Sequence, residues 1–152
     1  MSRRAPCLGV VVALLLVACS EPEPAKPYVD SGDMAYFMGH LLDPAADVIW
    51  RSAGTISTLA GEEDLAPTTD EGWFQVEHSA VVITEAANLL MQPERRQSGA
   101  DWVEYSVGLG RVGKQLIAAA EAQDKDAIFE LGGELYNVCV ACHQRYWPES
   151  PR

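Results

Sequence analysis

Basic side chains are scarce in this chain of 152 residues. Eleven Lys and Arg stand against 22 Asp and Glu, a formal net charge of −11. Nucleic-acid binding is excluded on that balance, because it requires phosphate charge to be neutralised by clustered Lys and Arg. No alternating apolar–polar run marks a β-strand, and no internal repeat is evident. The one unbroken apolar stretch, Leu8 to Ala18, is too short to span a bilayer. There are only four cysteines and three histidines. Without a third or fourth ligand at zinc-like spacing, His40 and His78 do not complete a structural zinc site with any cysteine pair. No acid–base constellation suggests turnover of a substrate, so an enzyme is not expected.

What is present begins with a targeting segment. Arg3 and Arg4 precede the apolar stretch, which ends in Leu16-Val17-Ala18-Cys19. That ending resembles the bacterial lipobox. It implies cleavage of residues 1–18, lipidation of Cys19, and anchoring in the periplasm on the outer membrane, the compartment favoured by Ser20 next to the anchor. An ordinary signal peptide is the alternative, but it lacks the A-x-A site. The mature chain would carry nine basic and 22 acidic side chains, a net of −13. Its membrane link would be the lipid and not a basic patch. Residues 19–30, with three prolines and two glutamates between Ser20 and Pro27, read as an extended tether.

Beyond the tether the period is helical. Ser31 is expected to cap a first helix carrying Met34, Met38, Leu41 and Leu42. Asp43-Pro44 is expected to kink or break it, and an apolar face is expected to continue through Val48, Ile49 and Ile56 to about Thr58. Leu59 to Thr69 reads as a loop, its acidic run Glu62-Glu63-Asp64 solvated. A second helix is expected from Thr69 or Asp70, with Trp73, Val76, Ala80, Ile83, Ala87 and Leu90 inward and Pro93 as its stop. Ser98 is expected to open a third, with Trp102, Tyr105, Leu109, Val112 and Leu116 inward. Asp124 is expected to cap a fourth, whose seam of Ile128, Leu131, Leu135, Val138 and Cys142 ends before Pro148. Short connections predict an all-α, antiparallel up-down-up-down four-helix bundle over residues 31–152.

The last seam runs into Cys139-Val140-Ala141-Cys142-His143. C-x-x-C-H is the attachment signature of c-type haem. On a helix its three reactive side chains share one face within one turn. The thiols of Cys139 and Cys142 can form two thioethers, and His143 can reach the iron as proximal ligand. A redox dithiol would call for a βαβ context that is absent. A disulfide between residues i and i+3 of a regular helix has poor geometry. Cys7 falls in the segment to be removed.

A haem motif on the last of four helices, followed by Gln144-Arg145-Tyr146-Trp147-Pro148, resembles the cytochrome c′ and cytochrome c-556 superfamily. Asp43-Pro44-Ala45-Ala46-Asp47 matches a lipoprotein branch of it. The resemblance covers roughly residues 31–147 and departs from the family in placing Arg145 before Tyr146. It implies one covalent haem c whose distal face is covered by the first helix, with either a methionine on the iron or an open site. Met38 is the expected distal ligand and Met34 the next choice; plain core packing is the bland role for both. His40 is expected to face solvent or a haem propionate. Met91, beside Pro93, is poorly placed for a ligand, and His78 reads as a surface residue. Tyr136, Tyr146 and Trp147 are expected to pack on the haem. With methionine bound, the implied function is electron transfer with redox proteins that present a basic face, with a homodimer left open. With the site open, it is binding of nitric oxide or carbon monoxide.

Overall fold

In the computed structural model residues 29–147 are described; the leader, Cys19 and most of the tether lie outside them, as does Pro148. The chain forms a bundle of four helices with one two-stranded hairpin. Helix α1 comprises three continuous segments: α-helical Met34–Phe37, π-helical Met38–Leu42 and α-helical Asp43–Trp50. Then follow β1 (Thr55–Thr58), β2 (Gly61–Asp64), α2 (Asp70–Leu90), α3 (Ala100–Glu121) and α4 (Lys125–Tyr146).

Asp33, not Ser31, caps α1; its carboxylate accepts from the Tyr36 amide at 2.8 Å. Pro44 neither breaks nor visibly ends the helix. It offers no N–H to the carbonyl of His40 and its ring crowds that group. The turn before it widens instead, and the Asp43 amide reaches back five residues to the Met38 carbonyl. The helix stops at Trp50, eight residues before the expected Thr58. Arg51 to Gly54 turn the chain, with Gly54 at φ 91°.

The expected loop holds the hairpin. Thr55 pairs with Asp64 and Thr58 with Gly61, leaving Leu59 and Ala60 as the turn. Every residue of both strands is exposed, so no buried face left an alternating pattern to read. Glu62, Glu63 and Asp64 are indeed in solvent, but on a strand.

Thr69 and Asp124 cap α2 and α4 as expected, each accepting an amide of the first turn. Helix α2 ends at Leu90, and turns carry the chain past Pro93 to Arg96. The start of α3 is Gly99, at φ 111°, and not Ser98. A side chain at Gly99 would meet the Tyr146 hydroxyl at 2.9 Å, so glycine serves both the backbone angle and the close approach.

The core is one cluster, with Ile49, Val76, Ile83, Leu116, Ile128 and Leu135 almost wholly buried. Helices α2 and α3 lie close together at Gly113, where a methyl group would lie 2.5 Å from Thr84 Oγ1. Polar contacts group the element ends. The indole of Trp102 donates to the Leu90 carbonyl at 2.7 Å, Arg145 pairs with Asp101, and Tyr146 donates to the Ser98 carbonyl. The guanidinium of Arg95, on the loop after α2, lies 4.5 Å from the Phe37 ring centroid and pairs with Asp30 at 3.0 Å. At the other end Gln123 meets Asp70, and Lys125 meets Asp64.

Candidate haem-attachment site

The last two turns of α4 carry Cys139, Cys142 and His143, all half-buried. Both cysteines are free thiols packed against the core cluster. Burial pushes each up to about 11; at Cys139 the neighbouring Cys142 and the carboxylate of Asp43 add to the shift. The thiols are therefore neutral near pH 7. Trp147 closes the helix by donating its amide to the His143 carbonyl, and its ring meets the imidazole edge-on at 5.6 Å.

Tyr146 is the strut of this turn. It stacks edge-on against Trp102 at 4.9 Å and lies 6.4 Å from Tyr105, while its hydroxyl reaches the Ser98 carbonyl at 3.2 Å. Three aromatic rings and the Arg145–Asp101 pair thus bind the end of α4 to the start of α3, holding the motif's turn on a rigid support.

Helix α1 meets α4 along only part of its length. The Asp43–Trp50 segment packs on α4, and the Trp50 indole donates to the Gly132 carbonyl at 2.9 Å. No Cα of Met34–Leu42 lies within 8 Å of a Cα of α4; the Met38–Leu42 stretch rests on α2 instead. The closest backbone approach of α1 to α4 is therefore in the Asp43–Trp50 segment. Met34 and Met38 are half-buried against the core upstream of it, with Met38 opening the π-helical turn.

The remaining candidates sort as follows. His40 is exposed and stacked on Tyr36 at 3.8 Å, with Nδ1 3.1 Å from the Tyr36 carbonyl. His78 is exposed beside Phe74, as expected of a surface residue. Met91 is half-buried just past α2. Tyr136 faces an open apolar hollow of about 500 Å³ lined by Ile49, Trp50, Ala53 and Phe129, a position nearer the middle of α4 than its end. Among the described residues no group of three His, Cys, Asp or Glu side chains is arranged to hold a metal ion by itself, and no helix is long and apolar enough to cross a membrane. Sequence reading missed Arg95, which is 9% exposed on a surface loop; nothing in the Arg95-Arg96 pair between Pro93 and Ser98 signals that the first is buried and the second exposed.

The donor set fits a covalent haem: two unpaired neutral thiols one turn apart and an adjacent imidazole. Comparison with family models, with curated proteins and with solved structures finds no match to this chain.

Proposed function

We propose that the chain is a membrane-tethered periplasmic c-type cytochrome, an electron carrier and not an enzyme, built as an up-down-up-down four-helix bundle. The observation that carries this reading is the single helical turn that bears Cys139, Cys142 and His143, half-buried at the end of the last helix. The alternation of element ends supports the topology: Trp102 with Leu90, Tyr146 with Ser98, and Gln123 with Asp70.

In this reading Cys139 and Cys142 hold haem c through thioethers, and His143 supplies the proximal nitrogen. When bound, the haem supplies reversible one-electron chemistry at iron. The protein's own part is positioning. The Tyr146–Trp102 contact and the Arg145–Asp101 pair keep the end of α4 in place. Met38 would offer a thioether sulfur to the iron, a ligand that favours the reduced state and raises the potential. The apolar core behind the thiols lowers the local dielectric and limits water. The anchor is the lipid on Cys19.

Two measurements test this. Protein made with haem maturation keeps its haem through acid-acetone extraction, and Cys139→Ala or Cys142→Ala weakens that retention; complete loss from the wild type rejects covalent attachment. The ferric spectrum is low-spin and the ferrous form binds carbon monoxide poorly. Met38→Ala turns the iron high-spin, opens it to carbon monoxide and lowers the potential, whereas Met34→Ala leaves the spectrum alone. A wild type that is already high-spin and binds carbon monoxide readily replaces electron transfer with gas binding. A change of spin in Met34→Ala alone moves the ligand one turn back.

A further inference from the structure

We infer that the end of the bundle bearing Cys139, Cys142 and His143 is a membrane-facing surface, and that its partner is the lipid bilayer. The inference rests on the proposed lipid anchor and adds to it an orientation. The described chain enters the bundle at this end. Asp30, three residues before the α1 cap, is tied by Arg95 to the loop between α2 and α3, the same end at which α4 finishes against Ser98 and Asp101. Nine residues lie between Cys19 and Val29, ten Cα–Cα steps in all. Fully extended they reach at most about 35 Å, comparable to the roughly 33 Å length of a helix such as α4. The anchor thus holds the motif end, where the chain enters, within about 35 Å of the lipid, while the opposite end can lie about one helix length further away.

Charge separates the two ends in the same sense. On the far end, β2, the first turn of α2 and the turn from α3 into α4 carry eight acidic side chains against Lys125, apart from the Asp47–Arg51 pair. The motif end has Asp30, Asp33, Asp43, Glu94 and Asp101 against Arg95, Arg96 and Arg145, a net of −2 where the far end has −7. An anionic bilayer repels the far end more strongly than the motif end. The motif end also exposes Tyr36 and Trp147, each about half accessible, and these are residue types that favour the bilayer interface. A soluble partner with a basic face would be drawn to the far end, some 24 Å along α4 from Cys142 if it met Asp126. A partner exchanging electrons at the motif would reach it at the membrane surface.

The test uses the full lipidated, haem-loaded chain on vesicles of phosphatidylethanolamine and phosphatidylglycerol. Nitroxide labels are placed at Arg96→Cys on the motif end and at Glu62→Cys on the far end, both exposed. A nickel-chelating headgroup lipid should relax the label at position 96 several-fold more than the label at 62. Equal relaxation, or stronger relaxation at 62, overturns the orientation while leaving anchor and haem intact. Wild-type protein that does not stay with the vesicles in high salt overturns the anchor and this inference with it. Labelling of the wild type at two further thiols reports Cys139 and Cys142 without haem; that outcome rejects the haem reading, and the relaxation ratio still decides the orientation.

Discussion

Trp102→Phe probes the support beneath the motif's turn. The indole N–H donates to the Leu90 carbonyl at 2.7 Å, and the ring is 3% exposed. Phenylalanine keeps the edge-on contact with Tyr146 in part but cannot donate. The Leu90 carbonyl, in the last turn of α2 where no helical amide follows, is then left under an apolar ring. An unmet buried acceptor costs about 1–3 kcal/mol, and the smaller ring adds a void worth about 1 kcal/mol. The expected sum is about 2–4 kcal/mol, a loss of roughly 8–16 °C in Tm for a domain of this size. Urea unfolding followed by far-UV circular dichroism should show a lower midpoint with an unchanged slope. Trp147→Phe, at a ring about half accessible with no indole hydrogen bond to support, serves as the control and should move the midpoint by less than about 0.5 kcal/mol. A midpoint unchanged in Trp102→Phe would refute the claim that this indole holds the ends of α2, α3 and α4 together.

Gly113→Ala forces a methyl group against Thr84 Oγ1, whose hydroxyl already donates to the Ala80 carbonyl, and against the Thr84 backbone; a destabilisation of about 1–3 kcal/mol is expected in denaturant melts. Arg95→Ala should cost more than Asp30→Ala, because the guanidinium is nearly buried over Phe37 while the carboxylate is 40% exposed; equal losses in a double-mutant cycle would contradict the cation–π contact. Asp101 is held below the ordinary carboxylate range by its own backbone amide first and by Arg145 second. Its contribution to stability is therefore present above the unfolded-state pKa near 3.8 and is lost as pH falls through the lower folded value. Carbon-13 NMR titration of the carboxyl should show that low midpoint, and Arg145→Gln should raise it only in part.

Three of the four helices were legible because their apolar residues recur at helical spacing and their caps are chemically distinctive. Trp73, Val76, Ala80, Ile83, Ala87 and Leu90 are all buried on α2, and Thr69 and Asp124 cap where their side chains predict. The hairpin was not legible, since Leu59-Ala60 lacks the usual turn residues and the strands cover nothing. Ile56 looked like the continuation of a helical face but lies on β1, nearly half exposed. The motif's three residues are adjacent in sequence, so their clustering was readable there. Their support was not, because Trp102, Ser98 and Asp101 reach the end of α4 from more than forty positions away.

The π-helical turn in α1 gives that helix two phases. Widening one turn absorbs a surplus residue, so the face that presents Met34 and Met38 and the face that buries Ala45, Ala46 and Ile49 do not follow from one continuous count of 3.6. Loss of a single residue within Met38–Leu42, for instance the exposed Gly39, which touches nothing where a side chain would stand, would let the turn tighten to an α-helix. Composition and hydrophobicity would hardly change. Yet everything upstream would swing by about 100° relative to Ile49, carrying both methionines round the axis. In this helix the number of residues before Pro44 sets how Met34 and Met38 stand relative to the face that buries Ile49.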